Sequence, residues 1–443
     1  MTNEITSDRQ TESGNGMVRP SAPGRSAYIW MYVSQAVVAV VGLLVYRWAG
    51  TNLGTEGFAE YALARRAATL LSPALLLGLG IAVTRSVAQY DGAGDRREVD
   101  GRFWSAATMV LLLHVVLAAL LLLAKGFFAG LFFGDDQRVY LIGPTLLLLV
   151  GISWHGLVWA FLRGLLRLKF AAGLEMVNMG AIPLTVVLVL GRSAGGILGW
   201  TGGLMALVCL GLTIRMAFGS RARREDLVPM GRGLLSYGLP RVPGDFALGG
   251  LLSIPSLITA HLYGVELGGF VAFGATMLAL AGTALSPLGT ALLPQAVHYL
   301  REGRVPELRR HVYRLLTYAL LLGVAGVLVA EIGMDVLIRL YLGPDFAAAV
   351  PVLRTLAFCA VPYAVFYSLR SVVDAAYHRP INTRNVFIAL AVFLVLVGMF
   401  HLLAPGLLGI YVGSISAHSV LALLTWWEVR RILQRPAGHP VIG

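Results

Sequence analysis

The chain is poor in charge. Only 13% of its 443 residues are Asp, Glu, Lys or Arg, about half the share of an ordinary soluble domain, near 25%. That excludes a water-soluble globule as the bulk of the molecule. Lysine is nearly absent, with Lys125 and Lys169 the only two. Cysteine is equally scarce. Cys209 and Cys359 both sit inside apolar runs, so neither a disulfide framework nor a metal site is built from them. There is no phosphate-binding loop, no dinucleotide fingerprint and no Ser/His/Asp set, which excludes ATP hydrolysis and leaves no cofactor or metal expected. His114, His155, His261 and His418 are scattered without ligand spacing and read as packing residues. No connection between apolar runs is long enough to hold a soluble catalytic domain, which weighs against an enzyme or a scaffold.

What remains is apolar. The chain is 57% hydrophobic with a mean hydropathy of +0.75. Runs of about 20 apolar residues recur, each long enough to cross a bilayer as a helix. The expected spans are 27–46, 57–80, 103–124, 140–162, 171–190, 197–217, 234–262, 267–292, 313–333, 350–370, 386–403 and 407–427. The net charge of +12 does not call for nucleic acid, because its placement explains it. Of the 35 Lys and Arg, Arg65, Arg66, Arg215, Arg241 and Arg354 lie within spans. Arg47, Lys125, Arg138, Arg192 and Arg339 lie in segments on one side, and the remaining 25 lie on the other. Such a bias predicts a cytoplasmic location for the arginine-rich side and for both termini. No removable signal peptide is read in the polar tail 1–26.

The second half echoes the first. Residues 144–191 align without a gap onto 351–398, so Pro144 matches Pro351 and Arg163 matches Arg370. TLLSP at 69–73 matches TALSP at 283–287, FFGDD at 132–136 matches YLGPD at 341–345, and LG-x-x-GF-x-x-Y at 53–61 matches LGGF-x-x-F at 267–273. Six spans per half is an even number, so the repeats are parallel, and substrate sites in such proteins lie where the halves meet. The expected architecture is an all-α integral membrane protein with about twelve transmembrane helices in two six-helix lobes. Its parts are a tail 1–26, a lobe 27–218, a basic linker 219–233, a lobe 234–428 and a tail 429–443.

Ionisable residues inside spans are costly and usually face a cavity or a partner. Arg65 and Arg66, about eight residues into the second span, offer planar donor forks suited to phosphate and read as a cationic wall for an anionic substrate. Glu60 precedes them. Arg241 and Asp245 are spaced i and i+4, so on one helix they share a face and neutralise each other or act as a switch. Pro240 and Pro243 flank Arg241 and are expected to bend that helix. Arg215 and Arg354 lie near span ends and can snorkel, and Glu175 sits near an interface. Gly195, Gly199 and Gly203 form a small-residue face for helix packing.

The runs LGTEGFAEYALARRAATLLSPALLLGLGIAVTRSVAQY at 53–90, SYGLPRVPGDF at 236–246 and YLGPDFAAAVPVLRTLAFCAVPYAVFYSLRSVVDAAYHR at 341–379 resemble the oligosaccharide flippases of polysaccharide biosynthesis (Wzx-type). These belong to the MATE-like multidrug/oligosaccharidyl-lipid/polysaccharide exporter superfamily. The resemblance covers about residues 27–430. It implies two lobes around a central cavity open alternately to each side of a bacterial inner membrane. It also implies a bactoprenyl-pyrophosphate-linked oligosaccharide as cargo, with a glycan polymerase and glycosyltransferases as neighbours. By that resemblance Arg65, Arg66 and Arg241 face the cavity, while Asp245 and Glu60 are coupling candidates. A cation-coupled multidrug exporter of the same superfamily is the alternative, and it requires a dominantly acidic cavity. The lipid II flippases of the superfamily usually carry further C-terminal helices, so the end of the chain soon after its twelfth span counts against that assignment.

Overall fold

The computed structural model describes residues 25–377, 379–404 and 406–434. The tail 1–26 up to residue 24 and the end of the tail 429–443 from residue 435 lie outside the described residues. Among those described the secondary structure is helical throughout. Ten helices are long and apolar enough to cross a bilayer, and eleven crossings result when the bent pair Ala349–Ala357 and Ala360–Ala376 is taken as one. The twelfth comes from the first helix. Arg25–Leu76 contains non-helical Gly54 (φ 69°, ψ −174°), and its two arms fold back on each other. Tyr46 and Tyr61 prove the reversal, because their rings lie 5.2 Å apart, whereas fifteen residues of straight helix would separate them by roughly 22 Å. A residue with a Cβ is disfavoured at such a positive φ, so the turn is written for glycine. Gly264 (φ 99°) makes the same reversal between Val242–Tyr263 and Val265–Arg301, the seventh and eighth crossings. The repeat read from the sequence is thus present as two matching helical hairpins that open the two six-helix lobes.

The crossings alternate in direction, so the lone arginines Arg47, Arg138 and Arg339 collect at one end of the bundle and the arginine-rich segments at the other. At the arginine-poor end the lobes meet tightly. Tyr46, Phe58, Phe273 and Phe346 form a chain of edge and tilted ring contacts with centroids 5.1–5.7 Å apart, geometry worth about 0.5–1.5 kcal/mol per pair beyond burial. A Cβ added at Gly269 would stand 2.3 Å from Ala59 Cβ, so the second and eighth crossings touch backbone to backbone. Arg47 Nη1 donates to Leu340 O at 2.9 Å, and Thr55 Oγ1 to Glu266 at 2.5 Å.

Local details depart from the periodicity. The second crossing breaks at Leu77 and Gly78, both with positive φ, and resumes as Leu79–Gly92. A separate helix, Leu227–Gly238, precedes the seventh crossing and ends in a 3₁₀ turn at Leu239–Arg241, which is where Pro240 was expected to break the backbone ladder. The glycine face of the sixth crossing packs as expected at Gly195 and Gly199, against Pro144. Its closest approach, however, is Gly202, whose added Cβ would stand 2.3 Å from the Leu147 backbone, while Gly203 faces open space.

Candidate functional site

Among the described residues two adjoining cavities lie toward the arginine-rich end. One, of about 370 Å³, is walled almost wholly by the second lobe: Pro240 and Arg241 of the 3₁₀ turn, Gly244, Asp245 and Leu248 of the seventh crossing, Phe366, Arg370 and Asp374 of Ala360–Ala376, Tyr377, Arg379 and Pro380 of the connection after it, and Asn382, Thr383 and Val386 of Ile381–Leu403. The other, of about 360 Å³, lies in the first lobe between Leu76, Gly80, Ile81, Thr84 and Arg85 on one side and Gly156, Trp159, Ala160 and Arg163 on the other. Ile81 lines both, so the two cavities adjoin at that side chain.

Each lobe presents an arginine from the matching position of the repeat, toward the arginine-rich end. Arg163 lies with its guanidinium carbon 4.4 Å from the Trp159 ring, and Arg370 lies 5.8 Å from Phe366 and 5.5 Å from Tyr367. In both halves the cation rests on an aromatic one turn earlier, so the repeat copies an arrangement and not only a residue. Stacking holds the guanidinium plane while leaving its donors for an anion. Two more arginines share one ring: Arg241 is 4.0 Å and Arg85 4.5 Å from Tyr237. Arg241 also donates from Nη1 to Tyr237 O at 2.6 Å.

The expected Arg241–Asp245 pair is not formed. Arg241, in the 3₁₀ turn before the helix starting at Val242, engages the Tyr237 ring and carbonyl one turn earlier instead. Arg241 and Asp245 both line the same cavity, together with Arg370 and Arg379. Asp374 is held by Asn382 Nδ2, which donates to it at 2.8 Å and to Arg370 O at 2.9 Å. Against Arg241, Arg370 and Arg379 this larger cavity sets only Asp245 and Asp374.

Arg65 and Arg66, though adjacent on the helix, both reach the surroundings of Tyr46: the Arg65 guanidinium carbon lies 6.0 Å from its ring, and Arg66 bonds Thr276, whose hydroxyl is 3.1 Å from Tyr46 Oη. Neither belongs to the lining of these two cavities. They lie about 16 Å further along the same helix than Leu76, towards the closed end. Arg65 donates to Tyr61 Oη at 3.0 Å. Arg66 is only 5% exposed and donates to Thr276 Oγ1 of the eighth crossing at 2.8 Å. Glu60 is remote from the cavities, locked at the arginine-poor end by Arg138 and Tyr140. Arg354 pairs with Asp335 at 2.6 Å, Glu175 accepts from Ser34 at 2.7 Å, and Arg215 is exposed. His114 and His418 bond to carbonyls of their own helices, and His155 lies against Asn178 at 3.3 Å. Among the described residues no group of His, Cys, Asp and Glu could hold a metal ion.

Residues 26–300 match the family model described as polysaccharide biosynthesis protein. The lipid III flippase of Escherichia coli (strain K12) is 31% identical over 141 residues, which are 31% of this chain and 33% of that protein. The alignment thus spans about a third of the length of the curated relatives. Among solved structures, an inward-facing multidrug resistance MATE family transporter of the MOP superfamily superposes with a TM-score of 0.71. It does so at 16% identity, over 92% of this chain and 98% of that one. An outward-facing transporter of the same description superposes at 0.61, with 18% identity, over 92% and 95%.

Proposed function

Because the chain belongs to the polysaccharide biosynthesis protein family, a Wzx-type family of the MATE-like superfamily, we propose that it flips a lipid-linked oligosaccharide across a bacterial inner membrane by alternating access, its cargo carried on a bactoprenyl pyrophosphate. The observation that carries this reading is the cavity between the lobes. It lies away from the ring contacts that close the arginine-poor end, and its two adjoining parts are lined by Arg85 and Arg163 and by Arg241 and Arg370. Guanidinium forks bind phosphate oxygens in pairs, and a pyrophosphate supplies enough oxygens for forks from both lobes. In this reading the arginine-rich end and both termini are cytoplasmic, by the Lys/Arg bias. The cargo enters there with its charge against Arg241 and Arg370. Closure around it separates the ring contacts of Tyr46, Phe58, Phe273 and Phe346 and breaks the Arg66–Thr276 bond at the far end. Arg65 and Arg66 then become the next cations in the cargo's path, which is how the roles assigned to them by resemblance fit the geometry. The better superposition on an inward-facing relative supports this choice of state.

A cavity built for cationic drugs would carry the opposite excess of charge. The test is reconstitution. Proteoliposomes containing the purified protein and a polyprenyl-pyrophosphate oligosaccharide should make the inner-leaflet glycan accessible to an external lectin, whereas protein-free liposomes should not. Equal accessibility in both, together with gradient-driven efflux of an organic cation, would replace this reading by the drug-exporter one.

A further inference from the structure

We infer that the first-lobe cavity holds the phosphate-proximal part of the cargo's polyisoprenoid tail, so that the tail and the charged head are divided between the lobes. The inference rests on the reading of the cargo as a lipid-linked diphosphate. The two adjoining cavities differ in chemistry. The second-lobe cavity carries the Arg and Asp side chains, while the first-lobe cavity is walled by Leu76, Gly80, Ile81, Gly156, Trp159 and Ala160 with Arg85 and Arg163 as its cations. Apart from the donors of Arg85 and Arg163, a glycan finds few hydrogen-bond partners there. The Thr84 hydroxyl is committed to Gly80 O and Ala160 O, both at 2.9 Å, and Trp159 Nε1 is buried beyond a ligand's reach. A ligand filling both cavities across Ile81 must therefore be an amphiphile whose apolar part is joined directly to an anionic group. A polyisoprenyl diphosphate has that construction, and Arg163 and Arg85 supply cations beside the apolar walls.

The space is made by two glycines. A Cβ at Gly80 would meet nothing within 4 Å, and one at Gly156 would meet Leu76 Cδ1 at 3.4 Å, an ordinary contact. The volume of about 360 Å³ falls within the range of roughly 300–1,000 Å³ usual for small-molecule sites. Filling it from Gly80 requires no backbone movement, which makes the site testable without disturbing the fold.

The probes are isopentenyl diphosphate, which is nearly all head, and farnesyl diphosphate, which adds tail. Binding is measured on the full chain in lipid nanodiscs, with empty nanodiscs subtracted. The wild type should prefer farnesyl diphosphate by about tenfold or more, while Gly80→Leu should reduce that preference to about twofold or less with isopentenyl diphosphate binding unchanged. Retained isopentenyl diphosphate binding also reports an intact fold. Should Gly80→Leu bind neither probe, Gly156→Ala decides, and a reduced preference there supports the site. Survival of the full preference in the variants overturns the inference while leaving the transport reading standing. So does displacement of farnesyl diphosphate by dioleoyl phosphatidic acid as readily as by geranylgeranyl diphosphate, which would mark a site for bilayer lipid. Failure of both diphosphates to bind the wild type would remove the transport reading and this inference together.

Discussion

Arg66 of the second crossing donates to the Thr276 hydroxyl of the eighth at 2.8 Å, joining the two lobes through a buried, charged hydrogen bond. Thr276 spends its own proton on Ala272 O and also lies 3.1 Å from the Tyr46 hydroxyl, so it accepts from both partners. Thr276→Val keeps the shape and removes the acceptor, leaving a guanidinium donor unpaired in the interior. The expected loss is about 1–3 kcal/mol, read as a lowered thermal midpoint in detergent. Thr276→Ser, which keeps the hydroxyl, should unfold close to the wild type.

Orientation is tested by chemistry from outside the cell. Cys209 and Cys359 are buried, so the native background to an impermeant thiol reagent should be low. Thr51→Cys, exposed at the arginine-poor end, should label in whole cells, and Arg221→Cys in the basic linker should label only after the membrane is opened. The reverse pattern would invert the topology drawn from the Lys/Arg bias.

Asp245 has a sharper expectation now that its neighbours are known. It does not pair with Arg241, so exchanging the two residues should not restore function to either single variant. Asp245→Asn removes one of the two carboxylates that oppose Arg241, Arg370 and Arg379 in the cavity. Binding of an anionic head group such as isopentenyl diphosphate should tighten severalfold, by about 1 kcal/mol or less given solvent in an open cavity. If Asp245 also carries the coupling proton, the same variant should transport without dependence on an imposed proton gradient. Unchanged affinity and unchanged gradient dependence would leave Asp245 with no part in either.

The sequence made the crossings legible because helices in lipid must be apolar for their full length, and it made the repeat legible because turns constrain residue type. Gly54 and Gly264 reverse the chain in both halves for the same steric reason. Pro240 interrupts the backbone ladder as expected, and Arg241 is taken up by the Tyr237 ring and carbonyl one turn earlier, a competitor that the charge pairing of Arg241 with Asp245 did not weigh. Glu60 was captured by Arg138, a partner 78 residues away that no local pattern announces. The larger omission was Arg85, Arg163, Arg370 and Asp374. All but the last were counted among the cations that set topology, because a sequence shows which side of the membrane a residue falls on but not which residues gather around a cavity. The match of Arg163 with Arg370 was a usable signal, since a repeat that preserves a cation one turn after an aromatic in both halves preserves a site.

The account turns on Arg241 and Arg370 meeting the cargo's pyrophosphate, and equilibrium binding of a polyprenyl-pyrophosphate oligosaccharide to the purified protein measures that most directly. Each charged hydrogen bond is worth about 1.5–3 kcal/mol. Arg241→Ala and Arg370→Ala should therefore each weaken binding by about tenfold or more, the double variant should weaken it further, and Arg370→Lys should lose less than Arg370→Ala. Wild-type affinity in a folded Arg241→Ala/Arg370→Ala protein would contradict the account.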